Sequence, residues 1–265
     1  MTTKTWVWPF RELSKQGYQG IRESGQIGIL SWGAFREIFR PPLRLRSFLR
    51  ETFRQGVLSL PILSLASLAT GMVLALQAVK SLERFGATHQ VAEFASLGLI
   101  RDLGPLLGAL VFIAKAGSLM AAEIGTMNVS DQIKALKVMQ INPVHFLVVP
   151  RLAACFFVLP ILVFSADMVG ILGSAFVVSF YEVQHFREFW QVLAPLLTLK
   201  ECLLGLLKPV IFSWLIVVIA CHKGMRASGG SQGVGEATTE AVSLSAITVI
   251  VMNFFLTKAL IGFLD

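Results

Sequence analysis

Residues 57–79 read VLSLPILSLASLATGMVLALQAV, a run of 23 residues without a charged side chain. At about 1.5 Å of rise per residue, a helix of this length covers roughly 35 Å, which is enough to cross the hydrocarbon core of a bilayer. Pro61 lies near the start of the run, where a proline disturbs a helix least. The sequence therefore predicts a first transmembrane helix over residues 57–79.

Four further apolar stretches follow along the chain, each containing ionisable residues. They cover about 95–122, 145–180, 202–221 and 241–264. Pro150 and Pro160 interrupt the second of these, so a re-entrant break there is an alternative to one continuous span. Counted as one span each, the stretches predict an all-α integral membrane protein with about five transmembrane helices.

The composition is that of a membrane protein. Hydrophobic residues make up 55% of the 265 residues, charged residues make up 15%, and the mean hydropathy is +0.71. Soluble domains contain roughly 25% charged residues, so a soluble enzyme, a disordered protein and a disulfide-rich module are excluded. The net charge of +7 comes mainly from basic residues near the N-terminus, without the aromatic-rich module that nucleic-acid binding needs. The cysteines and histidines lack metal-ligand spacing, so we expect no metal site.

The segment before the first span is amphipathic. In LRLRSFLRETFRQ, residues 43–55, the bulky apolar side chains fall near one helical face and the arginines repeat every four residues on another. This pattern is typical of a helix in the membrane interface, with a solvated charged helix as the alternative. The apolar residues are Leu45, Phe48, Leu49 and Phe53, and the arginines are Arg46, Arg50 and Arg54. We therefore divide the chain into a basic interfacial region, 1–56, and a transmembrane domain, 57–265.

The distribution of Lys and Arg predicts the topology. Fifteen of these 23 residues lie in the segments 1–56, 123–151 and 222–240, and four lie in 80–94 and 181–200. Cytoplasmic segments carry the excess of positive charge, so we expect the N-terminus inside and the C-terminus outside.

Several ionisable residues lie within the predicted spans, where each must face protein or water. Arg101 and Lys115 are 14 residues apart and would return to nearly the same helical face, roughly 21 Å apart along the axis. Such a stripe would suit an anionic headgroup, although side chains that snorkel to the interface are an equal alternative for Arg101. Asp167 lies in the middle of a span, and we expect it to pair with Lys115 or Lys208.

A short amphipathic helix is predicted between the second and third spans. Asn128, Ser130 and Asp131 favour a helix start, and Asn142-Pro143 favours its end. Its apolar face, which needs the membrane surface or a groove on a soluble protein as partner, consists of Ile133, Leu136, Val138 and Met139. The Gly/Ser/Thr-rich segment 222–240 is predicted to be a loop, with a helix starting at Thr238 or Thr239. The sequence contains no P-loop and no hydrolase motif.

Five motifs carry a resemblance to a known family. They are GMVLALQ at 71–77, RDLGPLLGALVFIAKAGSLMAAEIGTMNVSDQIKALKVMQINP at 101–143, VVPRLAA at 148–154, ADMVGILG at 166–173 and GVGEATTEAV at 233–242. On these motifs the chain resembles the MlaE (YrbE) family of ABC-transporter permeases, which serve MCE-type lipid transport systems. The resemblance covers about 57–264, and its long central block is highly specific.

The resemblance implies a non-catalytic homodimer that forms a lipid cavity in the inner membrane of a diderm bacterium. A separate cytoplasmic ABC ATPase would bind ATP and Mg, so we expect no cofactor in this chain. Further implied partners are a small STAS-domain protein, a periplasmic ring of MCE-domain proteins, and the cargo, a phospholipid moved between inner and outer membranes in support of outer-membrane lipid asymmetry.

The resemblance also implies two sets of site residues. The set expected around the lipid cavity is Leu74, Gln77, Phe85, Arg101, Asp102, Lys115 and Lys208. The set expected to dock on the ATPase is Glu123, Gly125, Asp131, Gln132 and Leu136. The chain departs from the family pattern in having Asp102 for Glu, Lys115 for Arg, and Glu236 and Glu240 for basic residues.

Two other function classes stay open at this point. An ion-gradient-driven secondary transporter could use Asp167 and Lys208 as a relay, but the sequence shows no internal repeat of the kind such carriers have. A membrane enzyme acting on lipids would need a nucleophile or an acid–base cluster, and the sequence contains no convincing one.

Overall fold

The computed structural model describes residues 8–38, 45–181, 183 and 185–264, and all regular elements within these residues are helical. Five helical stretches are long and apolar enough to cross a membrane. In chain order they are Phe48–Glu83, Thr88–Val129, Val144–Phe180, Lys200–Gly224 and Gly230–Leu260, called spans 1 to 5 below. The predicted all-α fold with about five transmembrane helices is therefore confirmed.

The individual helices are α1 (Trp8–Ile38), α2 (Leu45–Gly56), α3 (Leu60–Glu83), α4 (Val91–Gly98), α5 (Gly104–Phe112), α6 (Ser118–Val129), α7 (Gln132–Val138), α8 (Val149–Phe180), α9 (Phe186–Leu193), α10 (Leu199–Gly224) and α11 (Gly230–Leu264). Span 2 consists of α4, α5 and α6, which are joined by the π-helical stretches Leu99–Leu103 and Ile113–Gly117. Helix α7 follows span 2, and α9 follows span 3. We name the two ends of the bundle after them, the α7 end and the α9 end.

Span 3 lies at the centre of the bundle. In its most apolar segment 67% of the residues are buried, against 22% in span 1 and 17% in span 5. Spans 1 and 3 pack closely because both have glycine where they cross: a Cβ added at Gly71 would lie 2.0 Å from the carbonyl oxygen of Gly170. Ser174 donates a hydrogen bond from its hydroxyl to the Gly71 carbonyl at 2.9 Å. Small residues allow such a backbone approach between membrane helices.

Span 3 is one continuous helix, so the re-entrant break left open from the sequence does not occur. Helix α8 begins with Val149-Pro150, where a proline is tolerated, and continues through Pro160. A π-helical stretch, Val144–Val148, precedes it. The count of five spans therefore stands.

The predicted loop over 222–240 is wrong at both ends, and its first three residues belong to α10, which continues to Gly224. Helix α11 begins at Gly230, well before Thr238 and Thr239, whose hydroxyls donate to backbone carbonyls within the helix. The chain turns at Gly229 and Gly230, which have φ of 89° and 74°. Glycine adopts such values without strain, so two residues complete the turn and the glycine-rich segment that follows is free to be helical.

The N-terminal helices pack against the α7 end. Trp214 of span 4 donates its indole N–H to Ser31 of α1 at 2.7 Å, and Lys223 donates to Glu23 of α1 at 2.9 Å. Helix α2 forms as predicted, with Leu49 and Phe53 exposed. The side chains of Leu45 and Arg46 and the Pro41-Pro42 stop lie outside the described residues. The interfacial position of α2 and the domain boundary at residue 56 stay predictions.

Candidate functional site

The site begins with two consecutive charged residues in span 2. Arg101 and Asp102 lie in the π-helical stretch Leu99–Leu103, directly before Gly104-Pro105. A proline has no N–H to donate, so the carbonyl four residues earlier, that of Arg101, has no α-helical partner. Lys208 of span 4 takes this place and donates to the Arg101 carbonyl at 2.5 Å. The sequence of span 2 thus creates an acceptor within the membrane that a neighbouring helix satisfies.

Lys208 is the centre of a polar network between spans 2, 4 and 5. Its side chain is only 3% exposed, and its ammonium has three N–H donors. Besides the Arg101 carbonyl, they reach the Asp102 carboxylate at 2.5 Å and the Thr257 hydroxyl at 2.8 Å. The Thr257 hydroxyl lies 2.9 Å from Asp102 and 2.8 Å from the Asn253 carbonyl, and it can donate its one proton to either acceptor. Every donor of the buried cation is therefore satisfied.

Arg101 itself is held by Glu201 at the beginning of span 4. Its Nε and Nη2 donate to the two carboxylate oxygens of Glu201 at 2.7 and 2.6 Å, a bidentate pair. Thr198 caps the start of this helix by accepting from the Glu201 backbone N–H at 3.4 Å. The four charged groups, two cations and two carboxylates, neutralise one another, which reduces the cost of placing charges within the membrane spans.

An open cavity of about 480 Å³ lies beside this network at the α9 end. Its walls are formed by Leu82, Gln90, Glu93, Phe94, Leu97, Gly98, Arg101 and Asp102. A guanidinium has five N–H donors, and Glu201 uses two of them. Arg101 therefore has donors left for an anionic group that enters the cavity, whose lining combines the apolar side chains of Leu82, Phe94 and Leu97 with the polar ones of Gln90, Glu93 and Asp102.

The structure brings together three of the seven residues expected around the lipid cavity, Arg101, Asp102 and Lys208. The other residues lie elsewhere: Leu74 and Gln77 are on span 1, with Gln77 on its exposed face, and Phe85 is exposed just beyond the end of that span.

Lys115 is separate from this network and does not line the open cavity. The shared face calculated for Arg101 and Lys115 assumed an uninterrupted α-helix, whereas each of the two residues lies in a π-helical stretch, which changes the helical phase.

The predicted ion pair of Asp167 is wrong. Lys208 pairs with Asp102 instead, and among the described residues neither Lys208 nor Lys115 forms a salt bridge with Asp167. The Asp167 carboxylate packs against span 2, where a Cβ added at Gly104 would lie 1.9 Å from its Oδ1. The absence of a side chain at residue 104 therefore makes the room for this buried carboxyl.

The residues expected to dock on an ATPase have unequal access. Asp131 and Gln132 are exposed at the start of α7, whereas Leu136 is 8% exposed and packs into the core. Gly125 is closely packed: a Cβ added there would lie 3.2 Å from the side chain of Ala227 and 3.3 Å from that of Val234. The exposed apolar side chains of this region are instead Val138 and Met139.

Asn128 and Asp131, which were predicted to start α7, make other contacts in the structure. Helix α7 begins at Gln132, and the Asp131 side chain makes no capping hydrogen bond; it pairs with Lys134 at 2.7 Å. Lys134 is exposed, and the hydrogen bond to Asp131 raises its pKa. Asn128 donates to the Ala227 carbonyl at 3.0 Å and joins span 2 to the turn before span 5.

Sequence reasoning missed Glu201 and Thr257. The spacing Thr198-x-x-Glu201 before an apolar run is a helix-start signature and could have placed Glu201 in the first turn of span 4. Thr257 carries no comparable signal, because one threonine in a membrane helix is common and its partner comes from span 4.

Comparisons with known proteins agree with this architecture. The family model described as permease MlaE matches residues 48–259. A probable ABC transporter permease protein of Rickettsia prowazekii is 34% identical over 249 residues, which cover 91% of this chain and 95% of that protein. A probable ABC transporter permease protein of Synechocystis is 35% identical, with 86% of each chain covered. The intermembrane phospholipid transport system permease protein MlaE of Haemophilus influenzae is 31% identical, with 94% and 96% covered.

These matches cover the five spans, α2 and α7, and they favour an ABC permease over the ion-gradient-driven carrier that the intramembrane charges had left open. On this evidence the chain belongs to the MlaE family of permeases.

Proposed function

We propose that this chain is the membrane subunit of an ABC transporter that moves phospholipid between two membranes. The observation that carries the proposal is the open cavity at Arg101, where free guanidinium donors lie beside the apolar side chains of Leu82, Phe94 and Leu97. Such a surface matches a phospholipid, which has an anionic phosphate next to apolar chains. The Haemophilus relative is an intermembrane phospholipid transport system permease protein, which supports the same function for this chain. The chain itself would do no covalent chemistry.

The proposal includes a homodimer formed through spans 1 and 5. These spans have the smallest buried fractions, 22% and 17% of their most apolar segments. Span 1 also exposes the amide of Gln77, which hydrocarbon would not satisfy. A second copy packed on this face would cover the amide and place Leu74, Gln77 and Phe85 of both chains around a shared cavity. Lys115 would lie deeper along the lipid path.

We further propose that the α7 end faces the cytoplasm, in the inner membrane of a diderm bacterium, and receives the ATPase. There Val138 and Met139 form an exposed apolar tip, flanked by the charged side chains of Lys134 and Lys137 and preceded by Asp131 and Gln132. Ile133 and Leu136 are buried and hold α7 on the bundle. The ATPase would bind ATP and Mg, and an MCE ring and a STAS-domain protein would complete the assembly.

The test is ATP-dependent transfer of a fluorescent phospholipid from proteoliposomes that contain the chain and its co-purified ATPase. We expect Arg101→Gln to reduce transfer about tenfold, because an arginine–phosphate contact is a hydrogen bond to a charged group. Arg84→Gln is the matched control, since Arg84 is an exposed arginine at the same end that does not line the cavity. Transfer that proceeds equally without ATP or the ATPase would contradict the proposal.

A further inference from the structure

A second charged cluster lies at the α7 end, far from the Arg101 cavity. Glu123 of span 2 pairs with Arg54 of α2 and with Arg151 of span 3, the latter at 3.1 Å. Arg151 also lies 3.8 Å from a carboxylate oxygen of Glu51. Glu123 is 22 residues after Arg101 in the same span, which corresponds to about 33 Å along the helix axis. The cluster therefore belongs to the other side of the membrane.

An open cavity of about 460 Å³ adjoins the cluster, and its lining carries an excess of positive charge. It is lined by Arg50, Glu51, Arg54, Ala122, Glu123, Thr126, Met127 and Arg151. Three arginines thus face two carboxylates. Arg50 is exposed and forms no ion pair with any residue in the described part of the chain. The cavity can accept one further negative charge.

One buried polar atom of the cavity lining lacks a hydrogen bond, and so do two on helix α2 outside the lining. The Nε of Arg151 is buried and makes no hydrogen bond, and neither do the Thr52 hydroxyl and the Gln55 side-chain oxygen of α2. Buried polar groups in proteins are nearly always paired with protein, water or ligand. A cationic side chain with a free donor, together with unpaired groups on the adjoining helix, indicates a site that an additional polar group completes.

The predicted interfacial position of α2 indicates the class of that group. Leu49 and Phe53 are exposed on this helix, in the arrangement of an interfacial helix whose apolar side chains reach the acyl chains. Arg50 and Arg54 then lie at the depth of the lipid headgroups, where the negative charges are phosphates. Arginine is well suited to phosphate because its planar N–H groups match the phosphate oxygens.

We propose that the cavity between α2, span 2 and span 3 binds a singly charged phosphate group, presented by a phospholipid headgroup of the adjacent leaflet or by free phosphate. Arg50 and Arg151 provide donors to it, and Arg54 adds charge while it is held by Glu123. The site goes beyond the transport cavity, because it lies at the opposite end of span 2 and shares no residue with it. A phosphate bound in this cavity would alter the ion pairs of Glu123, the residue that joins α2 to spans 2 and 3.

The test measures binding to the full-length protein in maltoside micelles by isothermal titration calorimetry. The probes are dihexanoyl phosphatidylglycerol, dihexanoylglycerol and inorganic phosphate, and each variant is also made in an Arg101→Gln background to separate the transport cavity. We expect Arg50→Gln to weaken phosphatidylglycerol binding about tenfold, as for the loss of one hydrogen bond to a charged group. Glu51→Gln should tighten binding, because it removes a negative charge from the lining. Arg84→Gln is the control and should leave binding unchanged.

The outcomes separate the possibilities. Phosphatidylglycerol that binds more tightly than inorganic phosphate supports a lipid headgroup as the source, and equal binding with the same Arg50 dependence supports free phosphate. Dihexanoylglycerol that binds as well as phosphatidylglycerol would overturn phosphate recognition. Phosphate recognition would also be overturned if Arg50→Gln and Glu51→Gln both left phosphatidylglycerol binding unchanged, as the control Arg84→Gln does. None of these results depends on whether ATP-driven transfer is observed, so failure here leaves the proposed function untouched.

Discussion

Replacing Lys208 by methionine tests whether the polar network stabilises the bundle. The variant keeps an unbranched side chain but removes the cation that is 3% exposed, and it leaves the Asp102 carboxylate and the Arg101 carbonyl without their partner. Breaking a buried ion pair typically costs about 3–5 kcal/mol. Asp102 is 45% exposed towards the cavity, so water replaces part of the interaction.

Because water replaces part of this interaction, we expect the loss of the ion pair to lower the free energy of unfolding by about 2 kcal/mol. About 1 kcal/mol more comes from the orphaned carbonyl, since Pro105 cannot satisfy it. The free energy of unfolding should therefore fall by about 3 kcal/mol in total, which is a large share of the stability of a typical domain.

The assay is reversible unfolding in mixed micelles with increasing sodium dodecyl sulfate, at one fixed protein concentration because an oligomer's stability depends on it. The double variant Lys208→Met/Asp102→Leu provides the control, since replacing both partners of a buried pair by apolar groups is often close to neutral. We expect it to recover most of the loss. A single variant that costs less than about 1 kcal/mol, or a double variant as unstable as the sum of the two single ones, would refute the reasoning.

Three further predictions concern other parts of the molecule. Leu136→Asp should lower the thermal stability of the purified protein, because this side chain is buried. Met139→Asp should leave the melting temperature unchanged and abolish co-purification of the ATPase, because this side chain is exposed. The opposite pattern would place the docking contact on the buried face of α7. Gly71→Ala should destabilise the bundle by about 1–3 kcal/mol, because the new methyl group meets the backbone of span 3, and wild-type unfolding would show that the spans separate freely there. The hydrogen bond from Lys223 lowers the pKa of Glu23 from its usual 4.5. The stability that this pair contributes should therefore be present at neutral pH and lost as pH falls below that value. A Glu23→Gln variant should melt at a lower temperature than wild type at neutral pH and at the same temperature in acid, which thermal melts at each pH would check.

The spans could be predicted from the sequence because hydropathy and length depend only on local residues. The 57–79 run and the stretch around Pro160 were correctly assigned on that basis. The partners of intramembrane charges could not be predicted in the same way. Lys208 is 106 residues after Asp102, and the choice between Asp102 and Asp167 depends on how span 4 is rotated against spans 2 and 3.

Two local misreadings have definite physical causes. The π-helical stretches of span 2 change the helical phase that a 100° rotation per residue assumes, so the relative positions of Arg101 and Lys115 could not be calculated. The segment 230–240 was predicted as a loop because it is rich in small residues. In the folded chain Gly233 packs against Ser228, where an added Cβ would lie 1.6 Å from the carbonyl oxygen. Glycine there allows a close contact between the first turn of α11 and the turn that precedes it.

The contact between Lys208 and the Arg101 carbonyl also bears on how the protein can change shape. Separating spans 2 and 4 at this level would expose, within the hydrocarbon, an ammonium, a carboxylate and a carbonyl at the same moment. Spans 2, 4 and 5 are therefore expected to move as one rigid body during a transport cycle. The contact between spans 1 and 3 differs in kind, because where they cross it consists of glycine backbone and a hydrogen bond from the hydroxyl of Ser174. On this view the lysine determines which helices stay together while the cavity opens.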